Sequence, residues 1–117
     1  MANTVKTTDP RRRRLIRALH KTKRRIWKTV SEFLNKSRSN RIVVNIGKID
    51  VFSENNDIVL IPGKVLSSGE LSRSVTIAAF SCSKKARKKI LKAGGEFLRI
   101  EELLVRNPAG SKVKLLT

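Results

Sequence analysis

The sequence predicts a mixed α/β fold, an irregular core of short strands and helices entered through a basic helical N-terminal segment. Three observations predict it. Ile26, Val30, Phe33 and Leu34 fall on one face of a helix. Asp57–Ile61 and Val75–Phe80 are short, β-branched apolar runs of strand length. Lys84–Ala93 sets Ala86, Ile90, Leu91 and Ala93 against a lysine-rich opposite face, and Gly94-Gly95 closes it.

Residues 1–9 are polar, and Thr8 or Asp9 can cap a helix that has Pro10 in its first position, where the missing N–H costs nothing. Leu15, Ile16 and Leu19 then form a thin apolar stripe among arginines and lysines. In the second helix Trp27 lies at the edge of the apolar face, and Ser37–Arg41 is a polar, basic break. Val43, Val44, Ile46, Ile49 and Val51 suggest short extended pieces. The strand beginning at Asp57 is expected to stop at a Pro62-Gly63 turn. Lys64–Leu66 resumes, Ser67–Glu70 turns again, and Val75–Phe80 reads as a buried strand. Ser83 caps the next helix, and Gly94 or Gly95 takes the left-handed backbone that ends it. Phe97–Ile100 makes a strand. Glu101-Glu102 open a short helix at the end where its dipole favours acids, and Asn107-Pro108 stop it. Lys112–Leu116 alternates as an edge strand does. The expected organisation is a basic helical arm over residues 1–41 and a small α/β domain over 42–117.

Charge points to the partner. The chain carries 27 Lys and Arg against 9 Asp and Glu, a net +18. Residues 1–41 hold 14 basic and 2 acidic side chains, net +12; residues 42–117 hold 13 and 7, net +6. A chain this small repels itself at such a charge unless a polyanion neutralises it, and nucleic acid is the expected polyanion. Arginine dominates residues 11–17, and its planar fork suits phosphate. No aromatic platform for stacking single-stranded bases is evident, so folded RNA read by backbone and shape is expected.

Other chemistries lack their parts. One cysteine, Cys82, and one histidine, His20, leave no internal disulfide and no metal-ligand cluster. Lys84, Lys85 and a helix N-terminus near Cys82 could lower its pKa, but no second catalytic group accompanies it. Gly63-Lys64 is followed by Val65-Leu66 and lacks the upstream glycine spacing of a phosphate loop. No apolar run reaches membrane-span length, and Leu15–Leu19 is too short and too broken by Arg17 for a signal peptide. A cytoplasmic, non-enzymatic protein without cofactor, metal, membrane or small-molecule substrate is expected.

One resemblance is specific. The run D-I-V-L-I-P-G-K-V-L-S-S-G-E-L-S-R-S-V-T-I-A-A-F-S-C-S over Asp57–Ser83 is similar to the archaeal and eukaryotic large-subunit ribosomal protein 18e family. So are K-A-G-G-E at Lys92–Glu96, E-E-L-L at Glu101–Leu104 and N-P-A-G at Asn107–Gly110. Upstream, I-W-K-T-V at Ile26–Val30, S-R-S-N-R at Ser37–Arg41 and V-N-I-G-K-I at Val44–Ile49 match as well. The resemblance implies a fold shared with the bacterial large-subunit protein 15 family. It also implies a structural role on large-subunit ribosomal RNA, with neighbouring large-subunit ribosomal proteins as further partners. The residues expected to meet RNA are Arg11, Arg12, Arg13, Arg14, Arg17, Lys21, Lys23, Arg24, Arg25, Lys28, Arg38, Arg41, Lys64, Lys84, Lys85 and Lys88. Replacing Arg11–Arg14 with glutamine is expected to weaken RNA binding and spare stability. The rivals are a DNA-binding chromatin protein, which shares the charge but not these motifs, and an RNA-modification factor, which would need a cofactor loop or catalytic pair.

Overall fold

A computed structural model describes residues 7–36 and 41–117. Its elements run in the order α1 (Pro10–Lys21), α2 (Arg25–Leu34), β1 (Ile42–Asn45), α3 (Ile46–Phe52), β2 (Ile58–Leu66), β3 (Thr76–Cys82), α4 (Lys84–Lys92), β4 (Glu96–Arg99), α5 (Ile100–Arg106) and β5 (Val113–Leu115). The strands form one sheet in the order β1-β2-β3-β4, with β5 also on β2, and every pairing is parallel. Parallel neighbours need crossover connections, and their helices cover the faces of the sheet.

Alternation along the strands divides the core. Leu60, Ala78, Phe80 and Leu98 point to one side, where they pack with Leu15, Ile16 and Leu19 of α1, Trp27, Val30 and Leu34 of α2, and Ile100 and Leu103 of α5. Val59, Ile61, Ile77 and Ala79 point to the other, toward Ile46 and Ile49 of α3 and Ala86 and Ile90 of α4. The architecture is therefore helix, sheet, helix. The thin stripe of α1 is fully used: Leu15, Ile16 and Leu19 are all buried. Residues 10–34 thus contribute a layer of the same core as the sheet.

Individual elements refine the sequence reading. Asp9 caps α1, its Oδ1 accepting the Arg11 backbone N–H at 3.0 Å, with Pro10 following as expected. Trp27 lies at the centre of the packed face, wholly buried, and its indole N–H donates to the Pro108 carbonyl at 2.7 Å. That bond ties α2 to the Asn107–Gly110 turn, since a buried indole must find an acceptor. The extended pieces expected at Ile46, Ile49 and Val51 are instead the single helix α3. Ile46 and Ile49 are buried one helical turn apart and Val51 faces out. Seven residues are too few for a 3.6 period to stand out from β-branched composition. Leu91, expected inside, is 57% exposed on the outer side of α4.

Pro62-Gly63 does not end a strand, because β2 runs through it to Leu66. The register against β3 shifts between Ile61 and Lys64, and an irregularity there tolerates a proline that cannot donate to the ladder. Gly63 faces Ile42 so closely that a Cβ would lie 2.1 Å from the Ile42 carbonyl oxygen. The glycine therefore serves the β1–β2 approach. The Gly94-Gly95 pair ends α4 with two separate requirements. Gly94 takes φ +86°, and a Cβ on Gly95 would stand 2.3 Å from the Val75 carbonyl oxygen.

If α1 is a core layer, Leu19→Ala should cost about 2–5 kcal/mol, as for other buried leucines. Urea denaturation measures this. A loss below about 1 kcal/mol would mean that α1 packs only loosely on the sheet.

Candidate nucleic-acid interface

Burying one face of α1 sends the opposite face outward. Arg14, Arg17 and Lys21 lie three and four residues apart, so they share one exposed ridge. At the turn into α2, Lys23 adopts a left-handed backbone (φ 57°), and Lys23, Arg24, Arg25 and Lys28 are exposed around it. Thr22 holds the turn: its hydroxyl donates to the Leu19 carbonyl at 2.8 Å and accepts the Arg24 N–H at 3.2 Å. On the far side of the sheet, α4 exposes Lys84, Lys85 and Lys88. Lys64 is exposed on β2 beside Val43 of β1. None of these cations forms an ion pair among the described residues. Arg38 lies outside the described residues.

Five of the nine acids are paired elsewhere. Glu101 pairs with Arg11, Asp50 with Arg73, Glu70 with Lys89, Glu96 with Arg106 and Asp57 with Lys114. Moreover, α2 and α4 have no acid in their first turns, and they begin with Arg25 and with Lys84-Lys85. Cations at the positive end of a helix dipole oppose stability by a few tenths of a kcal/mol or more each. A phosphate lying there would reverse the sign.

Three of the predicted arginines have partners within the protein. The Arg11 and Arg12 guanidiniums stack on the Phe80 ring, 4.0 and 4.1 Å from its centroid. Arg11 also makes a two-pronged contact with Glu101, at 2.8 and 3.0 Å. Burial alone would raise the Glu101 carboxyl, but the hydrogen bond from Arg11 leads the effects that hold it below its ordinary pKa. Arg12 is buried, at 7% exposure, and donates to the Leu34 carbonyl at 3.2 Å. Its pKa is lowered first by burial and then by Arg41, with Asp9 opposing. Arg13 reaches the Thr7 carbonyl at 3.4 Å. The run Arg11–Arg14 therefore divides: Arg11 and Arg12 clamp Phe80, and Arg14 faces solvent. Sequence periodicity gives no sign of this, because it scores an arginine as polar wherever its aliphatic stem lies.

Cys82 is half-buried at the end of β3, and its thiol contacts the Ser83 carbonyl at 3.4 Å. Burial pushes its pKa up to about 11, with Arg87 opposing. The lowering expected from Lys84, Lys85 and the helix end does not occur, because burial outweighs it. His20 has no acid or thiol partner among the described residues, and no group of three metal-ligating side chains exists among them. No described helix is long and apolar enough to cross a membrane.

The family profile for Ribosomal protein 60S L18 and 50S L18e matches residues 3–117. The chain belongs to that family. Large ribosomal subunit protein eL18 of Pyrobaculum aerophilum is 39% identical over 118 residues, covering 97% of each chain. The protein of that name from Methanosphaerula palustris is 42% identical over 120 residues, covering 99% of each. That from Archaeoglobus fulgidus is 47% identical over 91 residues, or 78% of each. Family membership bears out the resemblance drawn from Asp57–Ser83 and the shorter motifs.

Two outcomes follow for this surface. Substituting Arg11–Arg14 together with glutamine should lower stability by about 1–3 kcal/mol, through loss of the Phe80 stacking and the charged hydrogen bonds. An unchanged urea midpoint would return these arginines to a purely external role. With its pKa near 11, Cys82 should alkylate with iodoacetamide at pH 8 about 100-fold more slowly than a free thiol of ordinary pKa 9. Equal rates would show that its burial is not maintained in solution.

Proposed function

We propose that this protein is a non-enzymatic structural constituent of the large ribosomal subunit, where its cationic surfaces hold folded large-subunit ribosomal RNA. The observation that carries the reading is the family match over 3–117, with relatives named as large ribosomal subunit proteins along nearly their whole length. The electrostatics support it. The Arg14–Arg17–Lys21 ridge, the Lys23–Lys28 turn and the Lys84–Lys85–Lys88 face have no acid partners among the described residues and point outward.

In this reading residues 1–41 supply most phosphate contacts. Residues 42–117 anchor them and add Lys64 and the α4 face. Lys and Arg neutralise phosphates where RNA segments pack together, and RNA in turn relieves the self-repulsion of a net +18 chain. Neighbouring large-subunit proteins complete the set of partners. The site of action is the cytoplasmic ribosome.

The test is a salt titration of affinity for large-subunit RNA fragments, beside duplex DNA of equal length. The triple substitution Arg14→Gln, Arg17→Gln, Lys21→Gln should flatten the log–log salt slope by about 2 to 3 units, at roughly 0.7–0.9 per lost phosphate contact. Its stability should change by no more than about half a kcal/mol per site. An unchanged slope would remove the α1 ridge from the interface. Equal or tighter binding to DNA, with no co-sedimentation with large subunits, would favour a chromatin role instead.

A further inference from the structure

We propose that the recess between α1, β1 and the adjoining ends of β2 and β3 is a built phosphate pocket, in which Arg12, Arg41 and Lys64 hold one backbone phosphate of the bound RNA. The inference rests on the RNA-binding reading above and adds a specific seat to it. The recess has a volume of about 440 Å³, and Arg12, Arg41, Gly63, Lys64, Phe80 and Ser81 are among the residues that line it. That is ample room for a small charged group and part of the chain that bears it.

Three cations and no acid line this space. Arg12, the buried member, donates one Nη1 bond to Leu34, while its Nε has no partner among the described residues. The Nε of Arg41, on a partly exposed side chain, is likewise buried without a partner among the described residues. Buried donors are almost always satisfied, and two unpaired guanidinium nitrogens beside one recess are a conspicuous exception. The two charges also act on each other, since Arg41 disfavours the protonated form of Arg12. The cluster by itself combines desolvation with like-charge repulsion. A phosphodiester answers both, because its oxygens accept from several donors and its charge lies between the cations.

The backbone explains why these side chains meet. Gly63 lets β1 approach β2 at Ile42, which carries Arg41, one residue earlier, to the mouth of the recess. The Val43–Lys64 register sets Lys64 across from it. Phe80, stacked under Arg12, fixes the depth at which that guanidinium sits. The absence of any lining acid suits a polymer with a charge on every unit better than an acidic peptide segment, whose backbone amides and carbonyls would also need partners.

The test compares the full chain with Arg41→Gln/Lys64→Gln and, as a control on the outer face, Lys85→Gln/Lys88→Gln. Neither pair includes a core residue. Unfolding temperature is measured in inorganic phosphate and in chloride at matched ionic strength, and the salt slope is measured on large-subunit RNA fragments. Both pairs should flatten the slope by about 1.4 to 1.8 units. Only Arg41→Gln/Lys64→Gln should abolish a phosphate-specific rise in unfolding temperature. If the parent binds the RNA but shows no such rise, or if Arg41→Gln/Lys64→Gln leaves slope and rise intact, the pocket is overturned and the general RNA reading stands. If the parent fails to bind the RNA yet binds polyglutamate, the RNA reading itself falls and the recess becomes an acidic-peptide site.

Discussion

Strands β2 and β3 lie side by side with apolar side chains on both faces, and much of the fold follows from covering them. A parallel sheet is stable in water only when both faces are packed. The crossovers after β1 and β3 provide α3 and α4 for one face. On the other face the crossovers leave only the seven-residue α5, too short to cover Leu60, Ala78, Phe80 and Leu98 alone. The N-terminal helices complete that cover. The segment 10–34, with ten basic side chains and one acid, is thereby fixed against the sheet by Leu15, Ile16, Leu19, Trp27, Val30 and Leu34. Its charged side has only one direction left to face. The cationic ridge is therefore a consequence of how the sheet is sealed.

What the sequence made legible follows the strength of local signals. The Val75–Phe80 strand, the Ser83 cap and the Gly94 helix end are readable. So is α2 as a helix, although its buried face is Trp27, Val30, Ser31 and Leu34, with Ile26 and Phe33 only partly buried. In each, a periodicity of several residues or a single conformational need acts over a few positions. The Ser83 hydroxyl does accept the Ala86 N–H, at 3.2 Å. The failures share a different character. The helix α3 spans too few residues to display a period, and β2 passes through Pro62-Gly63 because of a neighbour that is distant in sequence. Trp27 is central rather than peripheral because of Pro108, 81 residues away. Long-range partners decide the last two cases, and no local window contains them.

The candidate interface was legible as composition but not as geometry. Counting arginines treats Arg11 to Arg14 as four equivalent contacts, whereas the fold gives them different work. Helical positions 100° apart place Arg11 and Arg12 against Phe80 and leave Arg14 outside. An arginine can do this because its guanidinium is weakly hydrated and stacks on an aromatic face, which a lysine does poorly. The preference for arginine in this run thus has an internal cause.

The distribution of acids completes the argument. With nine carboxylates for 27 cations, the chain could have placed acids in the first turns of α2 and α4, where the dipole rewards them. It uses them instead as fasteners. Asp9 caps α1, Asp57 joins β5 to the loop before β2 through Lys114, and Asp50 accepts from Ser72 across the α3 side. The Ser72 backbone hydrogen bond, followed by its hydroxyl, holds the Asp50 carboxyl below its usual pKa. For Asp57 the bond from Lys114 leads the same effect. Because both pKa values are lowered on folding, these contacts contribute stability above the ordinary carboxylate range and lose it as pH falls through the lowered values. Most of the acids secure loops and edges, and among the described residues none pairs with the ridge, the turn or the exposed lysines Lys84, Lys85 and Lys88. A protein built this way keeps its own structure with its few acids and leaves its excess cations to be neutralised by something else.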